Sequence, residues 1–79
     1  MQNTPSTPIL LSQARKQQRG ILVTVPDDPQ LASLGFRGGK RIQVHSAGVW
    51  NGPLICSIDQ RMVAIGRDLA AQVTLEVLD

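Results

Sequence analysis

The 79-residue chain contains one cysteine, one histidine, one tryptophan, one phenylalanine and no tyrosine. The lone Cys56 excludes an intrachain disulfide and any multi-cysteine zinc or iron–sulfur set, so nothing calls for an oxidising compartment and the cytoplasm is the expected location. No apolar run approaches the roughly 20 residues of a membrane-spanning helix; Ile9-Leu10-Leu11 is too short, and residues 1–8 lack the Lys or Arg of a signal segment. With Phe36 and Trp50 as the only aromatic residues, there is little surface on which bases could stack, and no nucleic-acid partner is expected. Four serines (Ser12, Ser33, Ser46, Ser57) have a single His45 to serve them and no nucleophile-elbow motif, which leaves a catalytic triad without a signature. No enzyme activity and no cofactor are expected.

What is present describes a small folded domain. Hydrophobic residues make up 42% and charged residues 18%, far from the composition of disordered chains. A chain of this length has room for one domain with a core that is only marginally self-sufficient. The net charge of +2 is small, but it is unevenly spread. Arg15, Lys16, Arg19, Arg37, Lys40 and Arg41 fall in the first half against Asp27 and Asp28, whereas Glu76 and Asp79 close the chain without a nearby base. Such a dipolar surface can orient a partner.

Residues 1–9 read as a flexible, proline-punctuated tail and 10–79 as the domain. Ser12 is placed to cap a short turn through Ala14. A strand follows over 19–25, with Ile21, Val23 and Val25 on the inner side and Leu22 and Thr24 on the other. Asp28 followed by Pro29 is an N-cap with proline at the first helical position, and Gly35 suits a C-terminal release, predicting a helix over 29–34 with Leu31 and Leu34 on one face. Strands over 40–47, 54–58 and 61–65 alternate Ile42 and Val44, then Leu54, Cys56 and Ile58, then Val63 and Ile65 toward a core. Asp59 and Gln60 form the tight turn between the last two. Asp68 can cap a helical turn through Ala71, ahead of a strand over 73–78 that turns Val73 and Leu75 inward. Mainly β structure of this kind, five short strands with one or two short helices, fits a small closed SH3-like barrel, because closure removes exposed strand edges.

Several of these residues resemble a known family. Leu31-Ala32-Ser33-Leu34-Gly35-Phe36, Gly39, Ile42 and Val44 resemble the FeoA signature, and so do Gly52-Pro53-Leu54, Val63-Ala64-Ile65, Arg67, Ala70 and Val73 in the second half. Leu11-Ser12 resembles the family's domain start, so the likeness covers roughly residues 11–77. Gln17 and Gln60 depart from it, standing where glycines are common, and Gly66 departs by standing where a basic residue is common. The resemblance implies an SH3-like fold and a non-enzymatic accessory role in bacterial ferrous-iron uptake, through binding of the cytoplasmic part of the FeoB membrane permease. Two other readings stand beside it: a nucleic-acid-binding β-barrel, suggested by the basic first half, and a metal-sensing regulatory domain, since FeoA domains also occur fused to metal-dependent repressors.

Individual residues sharpen this picture. A one-residue register slip would turn whole hydrophobic sets outward, so His45 and Cys56 must lie on opposite faces. They cannot share a metal ion, and no metal ligand set is expected. Cys56 reads as a core residue and His45 as a solvated one. Asp27 and Asp28 read as a helix cap rather than an acid–base pair. The run Gly35, Gly38, Gly39 and Lys40 lacks the length and the following helix of a phosphate loop and reads as a turn. Trp50, flanked by Val49 and Asn51 in a loop between Gly48 and Gly52, is the candidate binding anchor; equally, it suits a cap over an open end of the barrel. Arg37, Lys40 and Arg41 are the candidate basic cluster that steers a partner to it.

Overall fold

The computed structural model describes residues 7–47, 50 and 52–78. Six strands form one antiparallel sheet: β1 (Ile9–Leu10), β2 (Arg19–Thr24), β3 (Arg41–Ser46), β4 (Leu54–Ile58), β5 (Arg61–Ile65) and β6 (Thr74–Leu78), in the order β1-β6-β2-β3-β4-β5. A 3₁₀ turn (Leu11–Gln13) follows β1, α1 (Pro29–Ser33) joins β2 to β3, and α2 (Arg67–Ala70) joins β5 to β6. The two-residue β1, paired through Ile9 with Leu75 and Leu10 with Thr74, is a sixth strand that periodicity does not reveal, since two residues show no alternation. β1 and β5 are the two ends of the strand order. The fold is therefore a mainly β sheet coiled about its core and left open, not a closed barrel.

The inner face carries Leu22, Ile42, Val44, Leu54, Cys56, Ile58, Val63, Ile65, Val73 and Leu75, which join Leu11, Ala14, Leu31, Phe36 and Ala70 in one buried cluster. Strand β2 has the opposite phase to that expected: Leu22 is buried, Val23 is 47% exposed and Ile21 is only half-buried. Gly20 explains the inversion. A Cβ there would stand 2.2 Å from Leu75 Cδ1 and 2.9 Å from the carbonyl oxygen of Glu76, so the inner position must be empty for β6 to approach, and Leu22 follows at the same parity. A bulge against β6 between Leu22 and Thr24 then shifts the register, and Val25 packs against the core from beyond it.

Asp28 caps α1 as expected, its Oδ1 accepting from the backbone N–H of Gln30 at 2.8 Å and of Leu31 at 3.2 Å. The helix ends in a Schellman arrangement, with the Phe36 N–H donating to the Leu31 carbonyl at 3.0 Å across Gly35, whose φ is +87°. That motif delivers Phe36 as well as Leu31 to the core, while Leu34, expected inside, stays half-buried. Neither of the other two caps forms. Gly66 precedes α2 without a side-chain bond, and Asp68 sits within its first turn. Ser12 lies inside the 3₁₀ turn, which Gln13 Oε1 closes by accepting from the Leu10 N–H at 3.1 Å.

Candidate protein-interaction site

Strand β3 ends at Ser46 and β4 begins at Leu54, so the intervening connection leaves from one end of the sheet. Trp50 lies in it, 95% exposed and with a backbone φ of 57°. An indole so exposed covers no end of the sheet, so the capping alternative is excluded. Val49 and Asn51, its expected companions, lie outside the described residues. Leu54, where the chain re-enters the sheet, is fully buried, so the connection is rooted in the core on that side. On the other side Ala47 is held by Arg67, whose Nη2 donates to the Ala47 carbonyl at 2.8 Å.

The basic residues are not gathered at this site. Arg41 begins β3 at the opposite end of the sheet from Ala47, and six residues at about 3.3 Å each put roughly 20 Å between them. Arg37 lines a groove of about 660 Å³ with Val23, Asp27, Asp28 and Phe36, whereas Arg41 lines another of about 270 Å³ with Arg19, Gln43, Ser57 and Leu78. Lys40 is engaged inside the molecule, Nζ donating to Asp59 Oδ1 at 2.8 Å and Oδ2 at 2.9 Å. That hydrogen bond lowers the Asp59 pKa below the ordinary value; burial opposes it, and the charges of Lys40, Arg61 and Arg37 each add a smaller lowering.

His45 and Cys56 occupy opposite faces, as the alternation requires. Val44 is the residue paired with Cys56, which is fully buried, while His45 Nε2 shares a 3.0 Å hydrogen bond with Ser57 Oγ on the outer face. Burial pushes the Cys56 thiol up to about 11, so it is a neutral core group and no nucleophile at physiological pH. Among the described residues, no three or more His, Cys, Asp or Glu side chains come together, and no helix is long and apolar enough to cross a membrane.

Two surface features were not anticipated from the residues alone. Among the described residues, Met62, 60% exposed on the outer face of β5, and Val23 are the large apolar side chains besides Trp50 that meet solvent. Met62 was readable from alternation, since Val63 and Ile65 point inward. The reach of Arg67 across the fold had no signal in local spacing.

A family model described as the FeoA domain matches residues 9–77. Among solved structures, an iron uptake regulatory protein (FeoA) aligns at 30% identity over 91% of this chain and 100% of that one, with a TM-score of 0.83. A manganese-dependent transcriptional repressor aligns at 25% identity over 96% of this chain, with a TM-score of 0.81; the match spans 44% of the repressor. A FeoA-like protein from Clostridium acetobutylicum shares the fold at 14% identity, covering 98% of this chain and 92% of that one, with a TM-score of 0.81. No curated protein matches the chain.

Proposed function

Because the chain belongs to the FeoA domain family, we propose that it is a non-enzymatic accessory protein of ferrous-iron uptake that acts in the cytoplasm by docking on the cytoplasmic portion of a FeoB-like permease. The observation that carries the docking site is Trp50. A 95% exposed indole has no stabilising role in the isolated domain, yet tryptophan is the side chain most enriched among the anchors of protein interfaces. Binding residues gather on loops held by a rigid scaffold, and buried Leu54 and the Arg67 contact hold this loop from its two sides. Val49 and Asn51, its neighbours in the sequence, are the other candidate contact residues. Arg37, Lys40 and Arg41, at the other end of β3, contribute by orienting the approach. Charges at that distance act on the association rate more than on the contact itself, and added salt weakens them.

The test is direct binding of the purified chain to the permease's cytoplasmic portion. Trp50→Ala is expected to weaken association by about 2 kcal/mol or more. Arg37→Ala and Arg41→Ala are expected to slow association at low salt and to converge on the parent at high salt. Parent-like affinity in a folded Trp50→Ala variant would remove the loop as the recognition surface and shift attention to α1.

A further inference from the structure

The connection that carries Trp50 is tied at its start by a residue from a distant part of the chain. Arg67 opens α2, yet its side chain crosses to the β3 end: Nη2 donates to the Ala47 carbonyl at 2.8 Å, and Nη1 makes a longer, 3.5 Å contact with the Ser12 carbonyl. The guanidinium thus bridges α2, the 3₁₀ turn after β1 and the root of the Trp50 connection. Helix stability does not account for a cation here. Arg67 sits in the single turn of a four-residue helix, too short for a helix dipole to favour either sign of charge there. Its point of origin is firm, because Ala70 on the same helix is fully buried. A planar fork can reach carbonyls on two separate segments at once, whereas a lysine ammonium supplies only a point donor.

We propose that Arg67 is the positioning residue of the recognition loop: it holds the Ala47 carbonyl so that Trp50 leaves the sheet from a fixed root. Order supplied before binding lowers the entropy lost when the partner docks. The inference rests on the reading of Trp50 as the docking anchor, and its test has one arm that needs no partner.

In the free chain, backbone ¹⁵N relaxation of Arg67→Ala is expected to show order parameters at Ala47 and Trp50 falling from about 0.85 toward 0.6, while Gln43 and Cys56 in the paired strands keep theirs and so report an intact fold. Arg67→Lys is expected to fall between Arg67→Ala and the parent. Unchanged order at both loop positions in the folded Arg67→Ala variant overturns the proposal. In binding to the permease's cytoplasmic portion, Arg67→Ala is expected to lose about fivefold in affinity, a loss that disappears in a Trp50→Ala background because both changes act through one contact. A full fivefold loss in that background also overturns the proposal and leaves Trp50 as the anchor. Parent-like binding by Trp50→Ala instead overturns the docking reading, with the order parameters alone then judging the hold of Arg67 on the loop.

Discussion

Strand β4 is entered through the connection that bears Trp50 and left through the two-residue turn Asp59-Gln60, and its two ends are built on different plans. At the exit the charged side chains of Asp59 and Arg61 are engaged within the domain. Asp59 and Gln60 both adopt positive φ, 52° and 65°, the primed geometry that joins antiparallel strands tightly. Lys40 bonds the Asp59 carboxylate, and Arg61 Nη2 donates to the Leu34 carbonyl at 2.9 Å. At the entrance, the largest side chain of the chain faces water and the tether comes from elsewhere in the sequence. A tight turn fixes register and offers little to a partner, whereas a long connection can present a side chain but needs an outside hold.

The largest effect that tests this contrast lies at the entrance itself. Leu54→Ala, at a fully buried position, is expected to cost about 3 kcal/mol of stability, while Trp50→Ala, four positions earlier, stays within about 0.5 kcal/mol of the parent in denaturant unfolding. A comparable loss from Trp50→Ala would mean that the indole packs on the domain after all, and the contrast between the two ends would collapse.

Cys56, midway along β4, gives the next effect. Burial pushes its thiol up to about 11 from an ordinary value of 9.0. A raised folded-state value means that the contribution of the neutral thiol is complete below 9.0 and is lost as pH climbs toward 11. Thermal melts across that alkaline window should fall more steeply for the parent than for Cys56→Ala, and a thiol reagent should label the folded chain far more slowly than the denatured one. Equal labelling rates in the two states would displace Cys56 from the core.

A smaller change of opposite sign is expected at the exit turn. Gln60 holds a φ of 65° that glycine adopts without steric cost, so Gln60→Gly should stabilise the domain by about 1 kcal/mol. A loss of stability would show that the Gln60 side chain makes a contribution exceeding its backbone strain. The smallest effect is expected for Asp59. Its lowered pKa makes a contribution that is present above 3.8 and fades as pH drops through the depressed folded value. The parent should therefore lose its advantage over Asp59→Asn only in that acid range, and added salt should shrink the difference at neutral pH. A difference independent of both salt and pH would assign the exit turn's stability to backbone geometry alone.

Much of this fold is legible in the chain because its strands have one apolar face. Alternation places β3, β4 and β5 and separates His45 from Cys56, and Asp28-Pro29 with Gly35 marks α1 by cap chemistry that depends on immediate neighbours. Gln17, with a φ of 71°, and Gln60 depart from glycines common in the family, and both adopt the left-handed backbone those glycines would supply. Where alternation fails, the cause is a contact with a distant strand. Three β-branched residues made Ile21, Val23 and Val25 look like the inner set of β2, and only the approach of Leu75 to Gly20 shows why the phase is reversed.

The candidate site divides along the same line. That Trp50 sits in a long loop is a property of the sequence, set by the glycines around it and the strands that end on either side. Its exposure, the distance of Arg37 and Arg41 from it, the engagement of Lys40 by Asp59 and the reach of Arg67 to Ala47 are tertiary facts. Periodicity encodes which face of a strand is apolar, because that depends on neighbours one and two residues away. Which end of the sheet a charge occupies, and which carbonyl a guanidinium finds, depends on how strands far apart in the chain are brought side by side.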